Sequence, residues 1–242
     1  MKKRDYYDLH LKPKNIIEAV KMIYAAKYMD FAGIGLNIAN LIDEERDFNL
    51  KIFEEKAREL GVKIIYILEG KHVDKKTLKK FDPLKTLVLD TAETESKFRK
   101  HLRNPDIHVI STPINAVNEI VNTSNLNLLK QTNKALEITL KPLWSSNNVE
   151  LQRLLKNIYK VTWLLNKKNK IYVSSGSTQV TEMRNPRAIR SYLRVIGIKD
   201  EKTIYMLSKL PGNIIFETKP VIYIKADESE SKKQQNKNEE AQ

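Results

Sequence analysis

The 242-residue sequence contains no cysteine. That excludes disulfide staples and every thiolate metal site, and it suits a reducing compartment. No apolar run approaches the roughly 18 residues that span a bilayer. The opening residues, Met1-Lys2-Lys3-Arg4-Asp5, lead into an alternating, strand-like stretch rather than the apolar core of a secretory leader. We therefore expect a cytoplasmic protein with no membrane partner. Glycine is scarce, with seven residues in all, and none forms a P-loop or a glycine-rich turn after the first strand. G-x-S-x-G, HExxH and EF-hand patterns are missing as well. Gly33-Ile34-Gly35 lies within a strand-like run and is too short for a dinucleotide loop.

What is present is positive charge. Lys and Arg number 43 against 30 Asp and Glu, a net charge of +13. Residues 225–242 hold four Lys against five acidic residues, so residues 1–224 carry +14. We expect residues 1–224 to form a single domain. Residues 225–242, rich in Glu, Ser, Lys, Gln and Asn and without an aromatic residue, are expected to be a disordered charged tail. A folded body with this surplus repels itself, and a phosphate backbone relieves the repulsion through counterion release.

Short apolar runs alternate with amphipathic segments, the pattern of repeated βα units and a parallel sheet. Strands are predicted at Tyr6–Leu11, Phe31–Ile38, Lys63–Leu68, Thr86–Leu89, Ile107–Ile110, Ala135–Leu140 and Ile171–Val173. Helices fit between most of them. Pro13 precedes Ile16, Ile17, Val20 and Ile23 at helical spacing. A helix over Asp43–Leu60 opens on acidic residues and stops at Gly61. Asn147 and Glu150 have capping-box spacing ahead of the stripe Leu151, Leu154, Leu155, Ile158, Val161 and Leu165. After the seventh strand come helices over Pro186–Ile196 and about Glu201–Leu210. Seven such units can close into a barrel or spread as an open doubly wound sheet, and periodicity does not decide between them.

In parallel α/β folds the C-terminal ends of the strands carry the chemistry. Those ends hold Asp8, His10, Asn37, Glu69, Asp90, Ser111, Glu137 and Ser174-Ser175. Asp8 and His10, two apart on a strand, share a face and can hold a metal or form an acid–base couple. His72, His101 and His108 do not fall at strand ends, which argues against a multi-imidazole zinc site. Ser174, Ser175, Gly176 and Ser177 make a short-side-chain loop after the seventh strand. Such a loop can cradle a phosphate with backbone N–H groups or be a tight turn that needs Gly176. Beyond it, Arg187, Arg190 and Arg194 recur along one helix face, with Arg184 just before. Arg153, Lys156 and Lys160 line the preceding helix and continue to Lys167, Lys168 and Lys170. We assign Arg184, Arg187, Arg190, Arg194, Arg153, Lys156 and Lys160 as candidate RNA-binding residues.

These segments resemble one family. Tyr7-Asp8-Leu9-His10, Gly33-Ile34-Gly35-Leu36-Asn37, Ile110-Ser111, Leu136-Glu137-Ile138, Ser174-Ser175-Gly176, Met183-Arg184-Asn185-Pro186-Arg187 and Val195-Ile196-Gly197-Ile198 occur in the order seen in archaeal ribonuclease P protein component 3. The eukaryotic counterpart is the thirty-kilodalton ribonuclease P subunit. The resemblance runs from about Arg4 to Leu210 and implies an α/β fold, a TIM-barrel-like (β/α) barrel of about seven parallel strands with surrounding helices. That fold is related to the PHP (polymerase and histidinol phosphatase) metal-dependent hydrolases. Those enzymes begin with His-x-His, where this sequence has Asp8-x-His10, so the resemblance implies a degenerate hydrolase site with no catalytic or metal-binding residue.

The implied role is that of a ribonuclease P subunit. The family's RNA removes the 5′ leader of precursor tRNA with magnesium ions, and this chain binds no cofactor of its own. The implied partners are ribonuclease P RNA, protein component 2 as a heterotetramer, the other ribonuclease P protein subunits and, indirectly, precursor tRNA. Two alternatives stand beside this reading. One is an active PHP-type metallophosphoesterase using Asp8, His10, Glu69 and Asp90. The other is a non-catalytic interaction barrel.

Overall fold

A computed structural model describes residues 5–44, 50–69, 81, 86–164 and 170–217. The expected tail at 225–242, His72, Leu165, Lys167 and Lys168 lie outside the described residues. Seven strands, β1 Tyr6–Leu11, β2 Phe31–Asn37, β3 Lys63–Glu69, β4 Thr86–Thr91, β5 Val109–Pro113, β6 Ala135–Thr139 and β7 Ile171–Ser174, lie on the predicted runs, except that β5 starts two residues later than Ile107 and runs on to Pro113. They form one sheet in chain order, each parallel to the next. The helices are α1 Ile16–Tyr28, α2 Ala39–Glu44, α3 Lys51–Leu60, α4 Glu95–Arg103, α5 Val117–Ile120, α6 Thr123–Lys130, α7 Lys141–Ser145, α8 Asn148–Val161, α9 Pro186–Val195, α10 Asp200–Ile204 and α11 Leu210–Glu217.

The local signals explain most of these bounds. Asn147 Oδ1 accepts the Glu150 N–H at 3.0 Å and starts α8. Asn185 does the same for Ala188 at 2.8 Å, with Pro186 at the first helical position of α9. Gly61, at φ +65°, ends α3. The single helix read over Asp43–Leu60 is corrected: residues 45–49 lie outside the described residues, but Leu50 is a turn residue and α3 begins only at Lys51. A separate helix starts upstream. Asn37 Oδ1 accepts the Ala39 N–H at 3.0 Å and nucleates a helix before the acidic run is reached.

Both faces of the sheet are buried, which is why its strands read as nearly continuous apolar runs. Ile34, Leu36, Leu68, Val88, Ile110, Leu136, Ile138 and Val173 pack outward under the helices. Leu9, Ile65, Ile67, Leu87, Leu89, Val109 and Tyr172 fill the inside. The sheet is thus a nearly closed TIM-barrel-like α/β barrel, as the resemblance implies. Gly35 faces inward against β1. A Cβ there would lie 2.2 Å from the Leu9 carbonyl oxygen, so the strand pair needs glycine at this point. β1 breaks register with β2 between Asp8 and Leu11, where Leu9 crosses Gly35.

Among the described residues β7 and β1 do not pair as a ladder, and the seam between them is closed by other means. At the upper end Asp8 Oδ1 accepts the Ser175 N–H at 3.0 Å, and the Lys12 N–H donates to the Ser177 carbonyl at 2.8 Å. At the lower end the C-terminal helix is the closure. Its Leu210 and Ile214 join the inner cluster, and Gly212 lies against the Tyr7 ring. Each buried aliphatic side chain contributes on the order of 2 kcal/mol. The last helix, read as stopping at Leu210, in fact continues to Glu217. A π turn at Tyr205–Lys209 widens the ladder just before Pro211, whose ring nitrogen has no hydrogen to give.

Candidate functional site

The upper rim of the barrel gathers several polar strand ends into one network. His10 is fully buried, with Nδ1 2.6 Å from Glu137 Oε2 and Nε2 3.7 Å from Glu69 Oε2. Glu69 is held in turn by Lys12 Nζ at 3.0 Å, Asn37 Nδ2 at 2.7 Å and Thr91 Oγ1 at 2.6 Å. Burial opposes the His10 imidazolium, but the Glu137 carboxylate outweighs it and the pKa of His10 is raised. Burial likewise works against ionised Glu137 and Glu69, yet His10 and the donors around them hold both below the usual carboxylate range. Asp8 goes the other way. Its burial, only partly offset by the Ser175 hydrogen bonds, raises its pKa.

Asp90 does not join this network. It accepts its neighbour's N–H, from Thr91, at 2.8 Å, and its second oxygen lies 3.6 Å from His101 Nε2 on α4. The four groups of the phosphoesterase reading therefore do not converge. His10 and Glu69 meet, Asp8 turns to the β1–β7 seam, and Asp90 faces a helix. Among the described residues no group of three or more His, Asp or Glu side chains is arranged to hold a metal ion. His108 sits at the opposite end of the barrel, accepting the Val88 N–H at 3.0 Å. Burial pushes its pKa down to about 4.

The Ser174–Ser177 loop is buried rather than open. The Ser175 N–H goes to Asp8, the Ser177 N–H to Ser175 Oγ at 3.2 Å, and the Thr178 N–H to Glu182 Oε2 at 2.7 Å. Lys141 Nζ braces the turn by bonding Thr178 Oγ1 at 2.8 Å and pairing with Glu182 Oε1 at 3.1 Å. Gly176 has φ +65°, and a Cβ there would sit 3.2 Å from the Thr139 side chain. The geometry is that of a tight turn sealed onto the rim, with its N–H groups at 175, 177 and 178 already used.

The basic residues divide into engaged and free groups. Arg190 forms a two-pronged ion pair with Asp200, Nε to Oδ1 at 2.6 Å and Nη2 to Oδ2. That pair ties α9 to α10. Arg184 donates to the carbonyls of Thr181 and Met183 at 2.8 and 2.9 Å and lies 5.6 Å from the centroid of the Trp144 ring. Lys170, read as the end of the α8 stripe, instead donates to the Thr132 carbonyl at 2.9 Å. Arg187, Arg194, Arg153, Lys156 and Lys160 are exposed, and their side chains make no hydrogen bond or ion pair with any described residue. α8 and α9 flank β7 in the chain, and Tyr159 of α8 touches the Gly197 turn that ends α9, so the two cationic faces adjoin. The sequence reading did not single out the aromatic rings here, Trp144, Tyr159, Trp163 and Tyr192, although Tyr159 and Tyr192 stand within its basic stripes.

Comparison with known proteins bears on what such a surface serves. Ribonuclease P protein component 3 of Methanosarcina barkeri (strain Fusaro / DSM 804) is 23% identical over 128 residues, 52% of this chain and 54% of that protein. The match thus spans about half the length of that curated relative. In fold, the chain resembles a chain of the cryo-EM structure of archaeal ribonuclease P with mature tRNA. The TM-score is 0.62 at 16% identity, with 86% of this chain and 89% of that one covered. A dihydroorotase from Campylobacter jejuni has a similar barrel, with a TM-score of 0.50 at 14% identity over 88% of this chain and 84% of that one. The family model of the RNase P subunit p30 matches residues 5–219. That span takes in the whole described barrel, from β1 to the helix that closes its floor, and the chain belongs to the RNase P subunit p30 family.

Proposed function

We propose that this chain is a protein subunit of the ribonuclease P ribonucleoprotein, which removes the 5′ leader from precursor tRNA in the cytoplasm. In this role it stabilises the catalytic RNA together with a partner protein and does not cleave by itself. Family membership across residues 5–219 is the observation that carries the reading. Two features of the structure support it. The barrel rim, where an enzyme of this fold keeps its reacting groups, is filled by the His10–Glu137 pair and the Glu69 network. The exposed cations of α8 and α9 give the chain a face for phosphates. The proposed partners are ribonuclease P RNA and protein component 2, joined as a heterotetramer, with the other protein subunits and, indirectly, precursor tRNA. Magnesium serves the RNA.

Reconstitution tests this directly. The purified chain alone should leave precursor tRNA intact. Added with protein component 2 to the cognate RNA at limiting magnesium, it should raise the rate of leader removal. An RNA whose cleavage is indifferent to the chain would overturn the proposal.

A further inference from the structure

We propose that the junction of α8 and α9 is a stacking platform for an unpaired stretch of RNA. In it, Tyr159 and Trp163 receive bases and the cations beside them hold the phosphates. The inference rests on the RNA-binding reading above and specifies the kind of RNA element that this face takes.

Two large rings are exposed here: Tyr159 is 66% exposed and Trp163 is 67% exposed. Rings of this size are usually well buried, so a pair left in solvent on one side of a helix marks a contact surface. They are four residues apart. The backbone at Thr162 keeps right-handed helical angles past the end of α8, so the two rings lie on the same side. Tyr159 is also braced. Its ring edge lies 3.4 Å from where a Cβ of Gly197 would stand. The Gly197 N–H is bonded to the Arg194 carbonyl at 2.9 Å, so the ring rests on the turn that ends the arginine helix. A ring fixed in this way loses little freedom when a base stacks on it.

The charge beside the rings selects the occupant. Arg153, Lys156, Lys160 and Arg194 are exposed around them and unpaired among the described residues. α9 contains no acidic residue, and α8 has only Glu150, in its first turn at the far end from Trp163. The core of a protein–protein interface is depleted of lysine, whereas a single-strand groove combines aromatic rings with a cationic track. A paired helix offers no open base faces, so stacking of this kind needs unpaired nucleotides.

Fluorescence and affinity test the proposal together. The chain has two tryptophans, so Trp144→Phe in the full-length protein leaves Trp163 as the sole reporter. A ten-nucleotide oligoadenylate should quench its emission, and a hairpin duplex of equal length should not. Tyr159→Ala and Trp163→Ala should each weaken oligoadenylate binding roughly ten-fold with an unchanged salt slope, while Tyr159→Phe restores it. Unchanged affinity in both alanine variants, or equal quenching by the duplex, overturns the platform. So does loss of partner-protein association with single-strand affinity intact, which would make the patch a protein interface. The two levels of the reading can fail separately. If Arg187→Ala and Arg194→Ala lower the salt slope of RNA binding while the ring variants do nothing, RNA binding stands and stacking falls.

Discussion

His10 Nδ1 lies 2.6 Å from Glu137 Oε2 at the barrel rim, with both side chains fully buried. Breaking a buried pair by removing one partner leaves the other charge uncompensated, a loss on the order of 3 kcal/mol. Glu137→Gln and His10→Ala should each destabilise the fold by about that amount in urea titrations, and the double variant should lose less than the sum. Additive losses would show that the two groups act independently.

The same network sets a pH window for stability. The pKa of His10 is raised above the ordinary imidazole value of 6.5, so its stabilisation is complete below pH 6.5 and fades as pH climbs through its folded value. Glu137 and Glu69 are lowered from 4.5, so theirs is present above pH 4.5 and fades as pH falls through their folded values. Asp8, raised by burial, adds to the loss on the alkaline side of its own unfolded value. Stability from the rim should therefore peak between pH 4.5 and 6.5 and decline in both directions. Thermal melts of His10→Gln should lack the part of the alkaline decline that His10 supplies, and melts that keep it whole would contradict the assignment.

Gly35→Ala places a methyl group 2.2 Å from the Leu9 carbonyl oxygen, and neither strand has room to yield. Its cost should exceed about 4 kcal/mol or abolish folding. Gly61→Ala meets nothing within 4 Å and pays only for its left-handed backbone, at about 1 kcal/mol. Urea midpoints of the two variants separate close approach from backbone preference.

Among the arginines, position in sequence and role in the fold diverge. Arg187→Ala and Arg194→Ala should each lower the salt slope of RNA binding by about 1, because each releases one phosphate contact. Arg190→Ala should act mainly on the fold. It removes the tie to Asp200, a half-exposed and screened pair worth about 0.5–1 kcal/mol. Binding titrations at several salt concentrations, paired with melts, read the two effects apart.

Most of the barrel was legible because its strands are buried on both faces, so each appears as a compact apolar run such as Lys63–Glu69 or Ala135–Thr139. The helix starts at Asn147 and Asn185 were legible because a cap is a local signal. What escaped depends on distant partners. The helix that starts at Ala39 follows from Asn37, a strand residue acting as a cap. Helix continuation through Pro211 requires a π turn that no periodicity announces. The engagement of Arg190 comes from Asp200, ten residues away across a turn, and that of Arg184 from Trp144 on another helix. Gly33 and Gly35 were noticed in sequence, yet the reason for Gly35 is the Leu9 backbone of β1 passing above it, and Gly33 lies between the Tyr7 ring and Lys63 of β3.

The floor of the barrel has a consequence for synthesis. Leu210 and Ile214, which cover Tyr7 and Leu9, leave the ribosome about two hundred residues after them. At 5–20 residues per second that interval is on the order of ten seconds or more. For all of it the nascent chain is a curling sheet with an open base and an unsealed edge at β1. Aggregation in the cell should therefore respond to the length of that wait, and to chaperones that cover the first strand, more than to the stability of the finished barrel.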